Sequence, residues 1–165
     1  MERDQRPTMP PGPGVDACPE EAALRDAGEI LARAARDETA ADAARARYRT
    51  QPMPALPPDD RIGPLLAPGE RVVAVRQSAL VERRQLAPGV HPPAGLGGRL
   101  YVTSRRLVLI GRLTLKYDLL EIEEAMLSGE QLMLLLRDGQ GLTLEVPQPR
   151  LLRVELAAAR ATAKA

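Results

Sequence analysis

Residues 98–111 read GRLYVTSRRLVLIG. Leu100, Tyr101 and Val102 form one short apolar run, and Leu107, Val108, Leu109 and Ile110 form a second. Thr103, Ser104, Arg105 and Arg106 lie between them, and Gly98 and Gly111 bound the unit. Short runs of bulky and β-branched residues bounded by glycine and polar residues favour strands over helices. The stretch is therefore expected to form two strands joined by a tight polar turn.

The pattern continues in both directions. Upstream, residues 72–82 (VVAVRQSALVE) predict a long first strand, and the Pro- and Gly-rich residues 85–97 predict a loop. Downstream, Leu113, Leu115, Tyr117 and Leu119 alternate with Thr114, Lys116 and Asp118. A period of two marks a strand with one buried face. Residues 122–127 and 132–136 give two further strands across Ser128-Gly129, and Asp138-Gly139 is a strong hairpin signal into the last. In that last strand Leu142, Leu144 and Val146 are expected inward, with Thr143 and Glu145 outward. Pro149 then opens a helix to about Ala163, whose Leu152, Leu156, Ala159 and Ala163 share one face. The fold class is mainly β: a seven-stranded antiparallel barrel closed by a C-terminal helix.

The N-terminal two-fifths differ in character. Residues 1–18 include Pro7, Pro10, Pro11 and Pro13 and read as a disordered tail. Residues 19–50 read as an Ala-rich helix, opened by Pro19 with Glu20 and Glu21 in its first turn. Leu24, Ala27, Leu31 and Ala34 make a narrow apolar stripe, and a break is conceivable near residues 37–39. Residues 51–68 carry six prolines and read as a semi-rigid linker. The compact domain is then residues 69–165. Residues 1–67 hold nine Lys/Arg against twelve Asp/Glu, and residues 68–165 hold fourteen against ten. That balance is far from a nucleic-acid-binding composition. Trp and Phe are absent, so the core must be built from aliphatic side chains.

Seven strands in meander order followed by one amphipathic helix resemble the pleckstrin-homology (PH) superfold. Within it the chain resembles the GRAM-like and bacterial PH-like families. The residues that carry the resemblance are Gly69-Glu70, Gly98, Leu100, Tyr101, Thr103, Arg106 and Leu107, with Leu120, Ile122, Asp138-Gly139 and the helix after Pro149. The resemblance covers residues 69–163 and implies a non-enzymatic binding module. The chain departs from the eukaryotic pattern in having no Trp in the last helix. It also departs where a phosphoinositide signature would hold a basic-x-Arg triplet, because Tyr101 follows Arg99 in place of the second arginine.

The chain carries few residues suited to catalysis or metal binding. His91 is the only histidine and lies in the Pro/Gly loop, and Cys18 is the only cysteine. Neither has the neighbours that a metal site or a catalytic set requires. No metal and no cofactor is expected. The Glu121, Glu123 and Glu124 cluster reads as a solvated strand edge. The N-terminus lacks the apolar segment of a secretory signal, and a cytoplasmic protein is expected, peripheral at the inner membrane face when bound.

One constellation stands out. Arg83 and Arg84 end the first strand, Arg99 begins the second, and Arg112 lies in the turn between the third and fourth. An up-and-down sheet brings these positions to one end, with Lys116 nearby on the outer face. Guanidinium groups offer forked donors suited to phosphate and carboxylate. Each basic group near an anionic bilayer contributes about 1 kcal/mol, so this set gives weak, salt-sensitive attraction. The leading reading is a non-catalytic module engaging a protein partner or an anionic membrane surface, with no nucleic acid. The alternative is a structural or self-association protein that uses Leu24, Ala27, Leu31 and Ala34.

Overall fold

A computed structural model describes residues 19–84 and 95–165. The elements are α1 (Pro19–Tyr48), β1 (Val72–Arg84), β2 (Leu96–Thr103), β3 (Arg106–Gly111), β4 (Thr114–Asp118), β5 (Ile122–Ser128), β6 (Gln131–Leu136), β7 (Gly141–Glu145) and α2 (Pro149–Lys164). Single 3-10 turns occupy Gly63–Leu65 and Leu119–Glu121. The architecture is mainly β, as expected, with one helix at each end. Seven antiparallel strands followed by a C-terminal helix is the arrangement that the PH resemblance implies. The expected tail and His91 lie outside the described residues, as does most of the expected loop 85–97. No helix among the described residues is long and apolar enough to cross a membrane.

The seven strands form one sheet in the order β4-β3-β2-β1-β7-β6-β5. No hydrogen bonds join β4 to β5, so the expected closed barrel is an open, curved sheet. β1 makes the curve possible. Its first part pairs with β2 from Val72↔Thr103 to Val81↔Leu96, and its last part pairs with β7 from Leu80↔Glu145 to Arg84↔Gly141. A register shift between Arg76 and Ala79 bends the strand just before β7 joins it at Leu80.

Glycine is required where β2 meets β3. Gly98 pairs with Gly111. A Cβ on Gly98 would come 2.5 Å from the Ile110 carbonyl oxygen, and one on Gly111 would run into the carbonyl of Gly97. The two glycines that bracket the quoted stretch let these backbones approach.

The concave side holds an aliphatic core of Leu100, Val102, Leu107, Leu109, Leu132, Leu134, Leu142 and Leu144, onto which α2 packs Leu152, Leu156 and Ala159. Fully burying one such leucine contributes about 1.5–3 kcal/mol. A second, smaller core lies on the other side of β1–β3, where Val72, Tyr101 and Val108 surround Ile62. Ile62 is 0% exposed and comes from the proline-rich stretch 51–68. That stretch also bridges to β1, with Leu56 N donating to Val72 O at 2.8 Å.

Three local expectations are corrected. Leu113 lies in the β3–β4 turn and is exposed, because the turn consumes the first residue of the alternating run. Thr143 lies on the face opposite Leu142 and Leu144, as expected, but is 2% exposed there, flanked by its cross-strand partners Glu82 and Met133. α1 does not break at residues 37–39.

The chain divides into two compact units between Ala32 and Arg33. Within the larger unit, Asp37 is 4% exposed and caps α2. Its Oδ2 accepts from Arg150 N at 2.8 Å and its Oδ1 from Leu151 N at 3.0 Å. The residue at the normal cap position, Gln148, is in the left-handed region (φ 55) and makes no side-chain cap. A carboxylate 113 residues upstream thus satisfies donors that a helix N-terminus leaves open.

Candidate functional site

The register fixes where the basic residues fall. Val81 pairs with Leu96, Gly98 with Gly111, and Arg99 with Ile110. The end of β1 with Arg83 and Arg84, the start of β2 with Arg99, and the β3–β4 turn with Arg112 therefore lie at one end of the sheet. The side chains of Arg83 and Arg84 lie outside the described residues. Arg112 is exposed. Cross-strand partners share a face, so the row Tyr101–Val108–Lys116 and the row Arg99–Ile110–Thr114 both lie on the outer side. Lys116 is exposed there, one row from Arg99.

Arg99 does not stand alone on that face. Its Nη1 donates to Asp59 Oδ2 at 2.5 Å, and the Tyr101 hydroxyl donates to the same oxygen at 2.7 Å. Asp59 Oδ1 takes the backbone N–H groups of Arg61 and Ile62, each at 3.1 Å. The hydrogen bond from Tyr101 is the main cause that holds the Asp59 carboxyl at about 2, joined by Ile62, Arg99 and Arg61 against partial desolvation. Burial, and then the Asp59 carboxylate, push the Tyr101 phenol upward, which keeps its proton in place as a donor. Tyr101 thus has a positive role at the position where the triplet lacks its second arginine.

The opposite end of the hairpin is also built around a carboxylate. Thr103 Oγ1 accepts from Arg105 N at 3.1 Å and Arg106 N at 2.8 Å, which closes the Ser104-Arg105 turn. It also lies 2.6 Å from Glu70 Oε1, to which Arg106 Nε donates at 3.0 Å. Arg106 Nη2 bridges Glu70 Oε2 and the Leu65 carbonyl, and Ala67 N donates to Glu70 Oε2 at 2.9 Å. Burial alone would raise the Glu70 carboxyl; Arg106, Thr103 and Ala67 outweigh it and hold it at about 2. Glu70, Thr103 and Arg106, far apart in sequence, form one network that sets the hairpin turn against the start of β1.

A third pair links β1 to α2. Arg76 Nη2 donates to Glu155 Oε2 at 2.7 Å, with both side chains largely buried. Arg76 Nε also donates to the Pro147 carbonyl at 3.0 Å. Beside α2, a groove of about 260 Å³ runs along β5, lined by Ile122, Ala125, Leu156 and Ala157 between Glu123, Glu124, Arg153 and Arg160.

The stripe expected on α1 falls in both units. In the smaller, Leu24, Ala27 and Leu31 are exposed. In the larger, Ala34 is half-buried.

Sequence reading missed Asp59, Asp37 and the role of Glu155. Asp59 carried one faint signal: it stands three residues before Ile62, the large β-branched residue of a stretch otherwise rich in proline.

No family model matches the chain, and no curated protein matches it. Among solved structures it is similar to the C-terminal domain of an unknown protein from Leishmania infantum, at 14% identity and TM-score 0.45 over 61% of this chain and 92% of that one. It is similar to the PH domain of USP37 at 20% identity and TM-score 0.39, covering 52% of this chain and 97% of that one. It is also similar to the N-terminal PH domain of Vps36 at 18% identity and TM-score 0.44, covering 60% and 83%.

Proposed function

We propose that this chain is a non-catalytic, bacterial PH-like or GRAM-like binding module. Its arginine-bearing end, with Arg83, Arg84, Arg99 and Arg112 and Lys116 beside it, engages an anionic membrane surface. The observation that carries the reading is the strand register, which brings the ends of β1 and β2 and the β3–β4 turn together. Guanidinium groups gathered on a rigid sheet end suit phosphate and carboxylate oxygens. Attraction of about 1 kcal/mol per basic group makes the contact reversible and salt-sensitive. In this reading the protein is cytoplasmic and peripheral at the inner membrane face.

Flotation of the full chain with neutral and with anionic vesicles, at low and physiological salt, tests the proposal. Salt-sensitive binding to anionic vesicles is expected, and replacing Arg83, Arg84 and Arg112 with Gln should remove it. Absence of binding at low salt would overturn the membrane reading and leave a protein partner in its place. A second reading, self-association through Leu24, Ala27, Leu31 and Ala34, draws support from Leu24 and Leu31, which are 68% and 71% exposed. Sedimentation of the full chain beside Leu24→Asp/Leu31→Asp separates the two.

A further inference from the structure

Asp59 divides its two oxygens between two tasks. Oδ1 holds the turn that seats Ile62, by way of the Arg61 and Ile62 N–H groups. Oδ2 faces the sheet and receives both Arg99 Nη1 and the Tyr101 hydroxyl. The second contact can therefore open while the turn stays closed. Water reaches it: the Asp59 side chain is 36% exposed and that of Arg99 29%. Asp59 takes Nη1 of the Arg99 fork and the Tyr101 oxygen takes a further contact, and a five-donor guanidinium still keeps donors for a second acceptor. The neighbouring cations, Arg112 in the β3–β4 turn and Lys116 on the outer face, have no ion-pair partner among the described residues. Among the described side chains of the basic set, Arg99 is the one that holds an anion, and that anion belongs to the chain itself.

We propose that Asp59 is a built-in occupant of the anion position formed by Arg99 and Tyr101, and that a phosphate-bearing ligand and Asp59 exclude one another there. The inference rests on the reading of the arginine end as an anion-binding surface. A phosphate carries more charge than a carboxylate and offers more acceptor oxygens, so it can take both Arg99 and Tyr101 as donors. Exposed acid–arginine pairs hold weakly. The internal carboxylate therefore lowers the affinity of this end without closing it.

The test compares the wild-type chain, Asp59→Asn and Asp59→Asn/Arg99→Gln on phosphatidylcholine vesicles with and without phosphatidylserine. Asn keeps a carbonyl oxygen for the Ile62 turn and loses the charge that holds Arg99. Asp59→Asn is expected to bind the anionic vesicles about two- to fivefold more tightly than wild type, the range that an exposed ion pair allows. The double variant should lose that gain. Titration of inorganic phosphate into the same chains, read at the Arg99 side-chain NMR signal, separates a soluble phosphate from a lipid headgroup. A response to phosphate alone keeps the exclusion and assigns a soluble ligand.

A measurement on the wild type needs no variant. Saturating phosphate should raise the Asp59 carboxyl from about 2 toward its ordinary range, as seen by carboxyl NMR. Vesicle binding equal in wild type and Asp59→Asn, with an Asp59 titration unmoved by phosphate, would overturn the exclusion and leave the arginine surface standing. No binding of either probe by any chain would overturn the surface and the exclusion together.

Discussion

Two carboxylates on opposite ends of one hairpin meet arginine in opposite ways. The Glu70 side chain is 0% exposed and accepts from Arg106, Thr103 and Ala67 N, while Arg106 also donates to the Leu65 carbonyl. Asp59 is 36% exposed and reaches Arg99 and Tyr101 through a single oxygen. Both carboxyls are held at about 2. The equal acidity hides unequal consequences. The Glu70 carboxylate itself is out of reach of water, so removing its arginine leaves a stranded charge. Around Asp59 water can replace whatever is removed. One pair fixes the fold, and the other is free to exchange.

The sharpest way to break this comparison is Arg106→Ala. It leaves Glu70 buried without its counter-ion, and a loss of about 3 kcal/mol is expected in urea denaturation. A loss below the level of a surface mutation would erase the distinction between the two ends. Next comes Asp37→Ala, which opens the N-terminus of α2 and takes a partner from Arg150. It should cost about 1–2 kcal/mol, read as a lower thermal midpoint, because it removes a helix cap.

Acid provides a graded test. Both carboxyls are lower in the folded chain than their ordinary values of 3.8 and 4.5. Their contribution is therefore present above pH 4–5 and is lost as pH falls toward about 2. Glu70→Gln should flatten the acid limb of the stability profile more than Asp59→Asn does. The smallest effect is expected for Asp59→Asn at neutral pH, where the denaturation midpoint should move less than for any other variant named.

The fold was legible wherever local pattern and burial agree. Alternation in β4 and β6, the Asp138-Gly139 turn and the apolar face of α2 all translate directly into packing. The reading failed where a residue's environment is set from far away. Thr143 alternates onto the outer face as read, yet it is buried there between β1 and β6, beside Glu82 and Met133. Leu113 continues the spacing of β4, yet the hairpin needs it for the turn. The arginine end was legible as a gathering of strand ends. Its internal counter-ion was not, because Asp59 and Arg99 are 40 residues apart and nothing in a proline-rich stretch marks which carboxylate returns to the sheet. Asp37 was hidden for the same reason, as one acid among many on a charged helix.

The open sheet has a further consequence. β4 and β5 each end the sheet without a further paired strand, the kind of edge on which a neighbouring chain can add itself and start a fibre, and on β5 Arg160 Nη1 already donates to the Glu123 carbonyl at 2.8 Å. β4 points Lys116 and Asp118 into water, and β5 points Glu123 and Glu124. An approaching strand would have to dehydrate these charges before gaining a single backbone hydrogen bond. The molecule keeps both margins of its sheet without inviting growth.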